Sequence, residues 1–286
     1  MDKKETFQTE SWDNYELLDA GGGKKLERFG EFILIRPELQ AYFKSEWPFT
    51  EWNKLAHAEF VEKTPKKGIW KRLKTEITDT WLLQVDDLCC KLELTSFKHV
   101  GIFPEQYGNW KFIQHHLPEN GSFLNLFAYT GMASVAAKTV NGSVVTHVDS
   151  MRQLVTWANE NQELSKLDGI KWVVDDALKF ALREVKRGNT YDGIIMDPPA
   201  FGLGSKGEKW ILEEQLPSLI EIASKLLARN GFLIINTYSP KIDLGFIRRH
   251  VNFHFKSVKK VELDELWATT KTGKRLFYGN LLRIQK

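Results

Sequence analysis

Thiols are scarce in this chain: its 286 residues include only two cysteines, Cys89 and Cys90, and these are adjacent. In a strand their side chains point to opposite faces, which argues against a structural disulfide or a zinc site. No apolar run approaches the roughly 18–20 residues of a membrane span. The opening stretch, Met1–Glu10, lacks the hydrophobic segment of a signal peptide. A cytoplasmic protein with no membrane partner is therefore expected. Charge of one sign is also in short supply. A net charge of +3 and a pI near 8.6 permit a nucleic-acid partner without arguing for one. Internal repeats and low-complexity segments are absent.

What is present is an ordinary globular composition, 42% hydrophobic and 27% charged, with material for a core and length for one large or two moderate domains. The first hundred residues read as β-rich. Arg28–Glu38 and Thr80–Leu94 carry strand patterns, the second as a pair joined at Asp86-Asp87. Ala20–Lys25, AGGGKK, lacks the GK[ST] ending and the strand–helix context of a phosphate loop, so a turn is expected. From about Gly121 strands and helices alternate. Strands are expected at Ser122–Ala128, Ser143–Asp149, Ile170–Asp175, Tyr191–Asp197, Gly231–Thr237, Phe255–Leu263 and Arg275–Ile284. Between them, Ser150 with Gln153 reads as a capping box ahead of an apolar face of Met151, Leu154, Val155 and Ala158. Another helix is expected to begin near Pro217 and run to Asn230-Gly231.

This grammar predicts an α/β fold: a mostly parallel sheet covered by helices on both faces over residues 101–286, after a smaller β-rich domain at 1–100. Ligands of such sheets bind beyond the C-terminal strand ends. Four acids stand there, Asp149, Asp175, Asp176 and Asp197. The turn after the first strand, Phe127-Ala128-Tyr129-Thr130-Gly131, has one glycine and no pyrophosphate fingerprint, which counts against a dinucleotide. Asp149, 18 residues after Gly131, is placed to accept from two ribose hydroxyls. The plainer alternative is an acid in the first turn before a capped helix. Asp176 is similarly placed to accept from an exocyclic amine, and the small Ala177 beside it leaves room for a base. A nucleoside pocket without a phosphate cradle suits S-adenosylmethionine (SAM). Asp197 opens the stretch Asp-Pro-Pro-Ala-Phe201, whose prolines cannot continue the strand ladder and so make a stiff turn.

These motifs together resemble a class I SAM-dependent methyltransferase. The similarity extends to the bacterial large-subunit ribosomal-RNA methyltransferase family, with its 5-methylcytidine and guanine-N7 branches. Phe123–Gly131, Asp197–Phe201, Leu26–Glu38 and Gly101–Trp110 all resemble stretches of that family, so the likeness covers nearly the whole chain. It implies a Rossmann-like, seven-stranded sheet. It also implies that Phe127–Gly131 wrap the methionine part of SAM, with Asp149 and the neighbouring Ser150 at the ribose, Asp176 and Ala177 at the adenine, and Asp197 beside the transferred methyl. Phe103 and Gln106 would approach the cofactor from the segment before the first strand.

The chain departs from the 5-methylcytidine branch at its nucleophile. Addition to a pyrimidine ring carbon needs a thiolate. Tyr238, in Asn-Thr-Tyr-Ser, stands where that branch carries a cysteine after the fifth strand, and Ala200 stands where other RNA enzymes carry one after the two prolines. Methylation of a base nitrogen is what remains. Asp197 or the Pro198 carbonyl would orient the acceptor, Phe201 would stack on it, and Tyr238 would line the site. The alternative for Phe201 is an aromatic that anchors the loop in the core. Phe201–Trp210 reads as a lip over the pocket, with Lys206 and Lys209 either near phosphates or simply solvated. Lys66–Lys74, basic residues around Trp70, fits RNA contact and a charged edge strand equally. Arg248–His250 reads as the solvated face of a surface helix. RNA, first of all ribosomal RNA, is the expected substrate. A protein side chain, a small molecule, or a non-catalytic RNA-binding or assembly role are the alternatives. Intact Asp149, Asp176 and Asp197 speak against the last.

Overall fold

The computed structural model describes residues 6–64, 67–203, 209–239 and 241–286. Two compact units divide the chain. One joins Gln8–Gly108 with Trp267–Phe277, and the other is built on Asn109–Leu266 and Tyr278–Lys286. The sequence pattern suggests a single cut near residue 100, whereas here the tip of the last hairpin groups with the N-terminal stretch.

After the short β1 (Phe7–Gln8) come β2 (Tyr15–Gly21), β3 (Lys24–Phe29), β4 (Phe32–Pro37), α1 (Phe49–Leu55), β5 (Ala58–Glu62) and β6 (Gly68–Arg72). Strands β2 to β6 form one sheet in chain order, with β4 and β5 parallel. A separate hairpin, β7 (Thr80–Val85) and β8 (Leu88–Glu93), turns at Asp86-Asp87 as the pattern predicts. AGGGKK is likewise a turn, since Gly21 pairs with Lys24 and only Gly22-Gly23 lie between β2 and β3. Leu18, Leu26, Ile35, Trp52 and Ala56 form the core against α1. Below them Glu27, fully buried, accepts from Arg36 Nε (2.7 Å), Arg36 Nη2 (2.9 Å) and Tyr15 OH (2.9 Å). The basic Lys66–Lys74 stretch falls on β6, the edge of its sheet; Trp70 donates from Nε1 to Thr95 O (2.9 Å) and packs edge-on against Phe60. That placement favours the edge-strand reading. Lys66 lies outside the described residues.

The second unit continues with α2 (Tyr107–His116), β9 (Ser122–Leu126), α3 (Met132–Lys138), β10 (Val144–Asp149), α4 (Arg152–Leu164), β11 (Lys171–Val174), α5 (Ala177–Arg187) and β12 (Tyr191–Met196). A small hairpin of β13 (Phe201–Leu203) and β14 (Lys209–Ile211) follows, then α6 (Leu212–Leu226), β15 (Leu227–Thr237), α7 (Leu244–His254), β16 (Lys260–Thr269) and β17 (Arg275–Gln285). The sheet order is β1-β16-β17-β15-β12-β9-β10-β11. The seven expected strands are all there, with β1 added at one edge. The β9–β12 block is parallel and β17 runs antiparallel to β15. The chain winds outward from β9 through β10 to β11, then returns to the other side of β9 with β12. That reversal of direction opens a crevice at the strand ends of β9 and β12.

The two faces of this sheet differ. One is predominantly apolar, with Leu124, Leu126, Val148, Ile194, Met196, Leu233 and Ile235 packed beneath α5, α6 and α7 and Thr146 a buried hydroxyl among them. Each such side chain contributes about 1.5–3 kcal/mol through burial. On the other, buried polar side chains interrupt the packing: Asn125, His147 and Asn236. Arg283 donates to Asn109 Oδ1, which leaves Asn109 Nδ2 to donate to Asn236 Oδ1 (2.9 Å).

Several local expectations give way to tertiary packing. The Ser150 capping box does not form, because α4 starts at Arg152 with Met151 as its cap, and Met151 is exposed rather than on the apolar face. The reason is Asp149, whose Oδ1 takes the Met151 N–H at 2.9 Å. α6 begins at Leu212, upstream of Pro217, since the buried row Leu212, Leu216, Leu219 and Ile220 extends the helical face through the proline. Similarly, Phe255 completes the Ile247–Val251 stripe of α7 instead of opening a strand, so β16 starts only at Lys260.

Candidate active site

Just past β9 the backbone turns through Phe127 (φ 58°) and Tyr129 (φ 51°), left-handed conformations that L-residues seldom adopt. The turn is tied down at each step. Ala128 N donates to Val148 O (3.2 Å), and Tyr129 N donates to Asp149 Oδ2 (2.9 Å). Asn161 of α4, fully buried, donates from Nδ2 to Thr130 O (2.8 Å). Gly131 (φ 85°) closes the turn; a Cβ there would lie 2.7 Å from the Cβ of Ala158 and 3.3 Å from the His147 ring. Beneath it, Asn125 donates to Ser134 Oγ (2.9 Å), which lies 3.1 Å from His147 Nδ1.

Asp149 ends β10 and is buried. Burial drives its carboxyl above the ordinary carboxylate range, while backbone N–H groups of Met151, Tyr129 and Ser150 pull against that rise. Oδ1 is oriented by the Met151 N–H and Oδ2 by the Tyr129 N–H, which fixes the carboxyl plane for a ligand. Ser150 is exposed, and only its backbone takes part. Asp176 is the N-cap of α5: Oδ1 accepts from Lys179 N (2.8 Å), and among the described residues Oδ2 carries no hydrogen bond. Ala177, the first residue of α5, is buried in the apolar core, so its N–H rather than its side chain is what it can offer the crevice.

Asp197 follows β12 directly, one residue beyond the paired Met196 and Leu126, level with the Phe127 turn. Pro198 is buried, and the chain then emerges. Phe201 is 53% exposed, which excludes the core-anchor alternative. The expected lip is the β13–β14 hairpin, in which Phe201 pairs with Ile211; its tip, including Lys206, lies outside the described residues. Trp210 of that hairpin donates from Nε1 to Pro199 O (2.6 Å) and packs its ring 5.1 Å from that of Phe127. One side chain thereby joins the acidic turn to the loop after β9. Tyr238 follows β15, and the next residue, Ser239, donates to Glu213 of α6. Phe103 and Gln106 belong to the N-terminal unit, at the start and end of a single 3₁₀ turn in which Gln106 N donates to Phe103 O (3.0 Å).

Strand order, the acids after β10, β11 and β12, and a strained turn without a phosphate cradle form one constellation, and sequence comparison agrees with it. Residues 58–267 match the family described as S-adenosylmethionine-dependent methyltransferase. The chain belongs to this family. A SAM-dependent methyltransferase from Agrobacterium tumefaciens has a similar crystal structure: TM-score 0.89 and 32% identity, covering 98% of this chain and 93% of that one. Two curated relatives are named ribosomal RNA large subunit methyltransferase K/L. The one from Syntrophotalea carbinolica is 30% identical over 63% of this chain and 24% of its own length. The one from Hahella chejuensis is 34% identical over 66% of this chain and 26% of its own. The methyltransferase described here therefore matches about a quarter of the length of those relatives.

The donor set fits SAM. SAM has a ribose and an adenine but no phosphate, so it asks for hydroxyl and amine acceptors and no pyrophosphate cradle, and the crevice offers Asp149, Asp176 and a turn without a glycine-rich amide nest. Three positions that shape the crevice carry no strong sequence signal. Asn161 is a polar residue on the buried stripe of α4, three positions after Ala158, and that interruption is the one clue in the sequence. Trp210 and Gly279 give none, since their partners are brought to them by the fold.

Proposed function

We propose that this methyltransferase modifies a base nitrogen in RNA, with ribosomal RNA the first candidate, and works in the cytoplasm. Among the described residues no helix is long and apolar enough to cross a membrane. The observation that carries the proposal is the exposed ring of Phe201 on the stiff Asp197–Phe201 turn, a surface on which an unpaired base can stack. The names of the K/L relatives agree with an RNA acceptor.

When bound, SAM supplies an electrophilic methyl group. The chain's own residues then hold and align. Phe127–Gly131 enclose the methionine end, Asp149 takes the ribose, and Asp176 with the Ala177 N–H takes the adenine. On the acceptor side, the Asp197 carboxylate or the Pro198 carbonyl would accept from an exocyclic N–H, turning the nitrogen lone pair toward the methyl, and the proton that the methylated nitrogen sheds would pass to the Asp197 carboxylate or to water. Tyr238 lines the opposite wall. A ring nitrogen such as guanine N7 needs only the positioning. Thiolate addition to a ring carbon is not provided for. Tyr238 and Ala200 occupy the expected thiol positions, and both cysteines lie on β8 of the N-terminal unit, where burial raises each thiol above its ordinary value.

The test is to incubate the protein and methyl-labelled SAM with total RNA from a strain lacking its gene, then identify the labelled nucleoside after digestion. A methylguanosine or methyladenosine is expected. Labelled 5-methylcytidine would overturn the nitrogen assignment. No label, with Asp197→Ala equally silent, would move the acceptor to a protein or small molecule, or leave a binding role.

A further inference from the structure

We infer that the outer face of α7 is a track for the RNA strand as it leaves the acceptor site, a deepening that rests on the RNA reading above. Between Lys241 and Lys260 the chain has six cationic residues, Lys241, Arg248, Arg249, Lys256, Lys259 and Lys260, against one acid, Asp243. That excess of five exceeds the net charge of the entire protein, +3, so the remainder of the chain is net negative. Arg248 and Arg249 lie on α7 itself and the four lysines on the segments that flank it, which makes this the basic stretch of the second unit.

The helix register decides where these charges point. Ile247 and Val251 are buried, and Phe255 continues the same stripe below the helix end, so Arg248, Arg249, Asn252, Phe253 and Lys256 face away from the core. Asp243 is engaged in capping the helix, its Oδ1 accepting from Phe246 N (2.6 Å). The neighbouring acids are also occupied: Glu221 pairs with Lys225 (2.6 Å) and Glu262 with Lys260 (2.9 Å). Among the described residues no carboxylate pairs with Arg248, Arg249 or Lys256. His250 feels the same field: burial first, then the charges of His254 and Arg249, lower its affinity for a proton.

A solvated helix face explains the charges but not Phe253. That ring is 68% exposed, with Lys256 Nζ 5.3 Å from its centroid and the His254 ring edge-on at 4.9 Å. An exposed ring with a lysine over one face, on a helix whose two arginines have no carboxylate partner among the described residues, is an arrangement that suits single-stranded nucleic acid, the open face stacking on a base and the cations meeting phosphates. A membrane surface would ask for a row of apolar side chains, and Phe253 has the polar Asn252 beside it. The track also begins at the site. α7 starts six residues after Tyr238, and at 1.5 Å per residue Arg248 lies roughly 6 Å and Phe253 roughly 14 Å along it. A strand whose target base sits by Tyr238 therefore meets the arginines first and the ring next.

Two variants of the full-length protein test this: the charge reversal Arg248→Glu/Arg249→Glu/Lys256→Glu, and Phe253→Ala, which removes an exposed ring without touching the core. Binding to a fluorescent oligouridine is followed by anisotropy over a range of salt, with heparin as a polyanion lacking bases and SAM binding by calorimetry as the check on folding. Charge reversal is expected to weaken RNA binding at least tenfold and to make its salt dependence shallower. Phe253→Ala is expected to weaken RNA about tenfold and leave heparin unchanged. In methyl transfer, the KM for RNA rises while kcat at saturation stays the same. If the wild type binds and methylates RNA and both variants match it, the track is wrong and the acceptor proposal stands. If the wild type binds SAM and no RNA, the acceptor proposal falls and the track falls with it.

Discussion

At the scale of single residues, the proposed site coincides with positions where the backbone or a charge is held against its preference. Asp149 stands in a place that disfavours its charge, and three backbone N–H groups offset part of that penalty. Its raised folded-state value fixes the sign of a pH effect. The fold binds this proton more tightly than the unfolded chain does, so the wild type loses stability as pH rises through the carboxylate range. Asp149→Asn, having no proton to lose, is spared that loss. Thermal melts of the two proteins should therefore diverge in the variant's favour as pH rises through that range, while calorimetry shows SAM binding at least tenfold weaker for Asn. Gly279 is the converse case, a residue whose function is to have no side chain. It sits at φ 91°, where a Cβ would lie 2.0 Å from Thr237 O and 3.2 Å from the Cα of Tyr238. Gly279→Ala should cost roughly 2 kcal/mol or more in a denaturant melt and also lower kcat, since Tyr238 must move with the displaced backbone. Asp149 was legible because an acid after a short apolar strand is a local pattern. Gly279 was not, because β17 and the end of β15 are some forty residues apart in sequence and meet only by pairing.

At the scale of elements, the alternation of apolar strands and helices was strong enough to place seven of the eight strands of the main sheet, the two-residue β1 being the exception, while element ends were decided by partners. The proline in α6 shows why: four buried leucine and isoleucine side chains outweigh one missing N–H. The β13–β14 hairpin shows the same from the functional side. Glycine and lysine mark a loop in the sequence, and Trp210 turns it into a brace between Pro199 and Phe127. Trp210→Ala should lower kcat at least tenfold with a modest fall in melting temperature. Trp210→Phe, which keeps a ring against Phe127 and loses the N–H, should fall between the two. Equal activity in all three would show that the brace has no part in alignment.

At the scale of the whole molecule, stability in the N-terminal unit and chemistry in the other can be probed apart. Burial alone would raise the Glu27 carboxyl, but Arg36, Lys25 and the hydrogen bonds from Arg36 and Tyr15 outweigh it, and the group titrates below the ordinary carboxylate range. Such a group stabilises the fold at neutral pH, and that contribution is lost as pH falls through the folded-state value. Glu27→Gln, which leaves Arg36 buried without its partner, should cost about 3–5 kcal/mol at neutral pH. The gap from wild type should narrow in strongly acidic buffer. For the chemistry, Cys89→Ala/Cys90→Ala should methylate at the wild-type rate, and loss of turnover in a folded variant would return a thiol to the mechanism. By itself the sequence determined the fold class, the strand order's raw material and the acids at the strand ends, because periodicity and local composition encode burial along the chain. Only the tertiary structure decided which N–H groups hold Asp149, that Phe201 faces out, that Trp210 bridges two loops and that the α7 cations are unpaired. Those facts depend on residues far apart in sequence that no local pattern brings together.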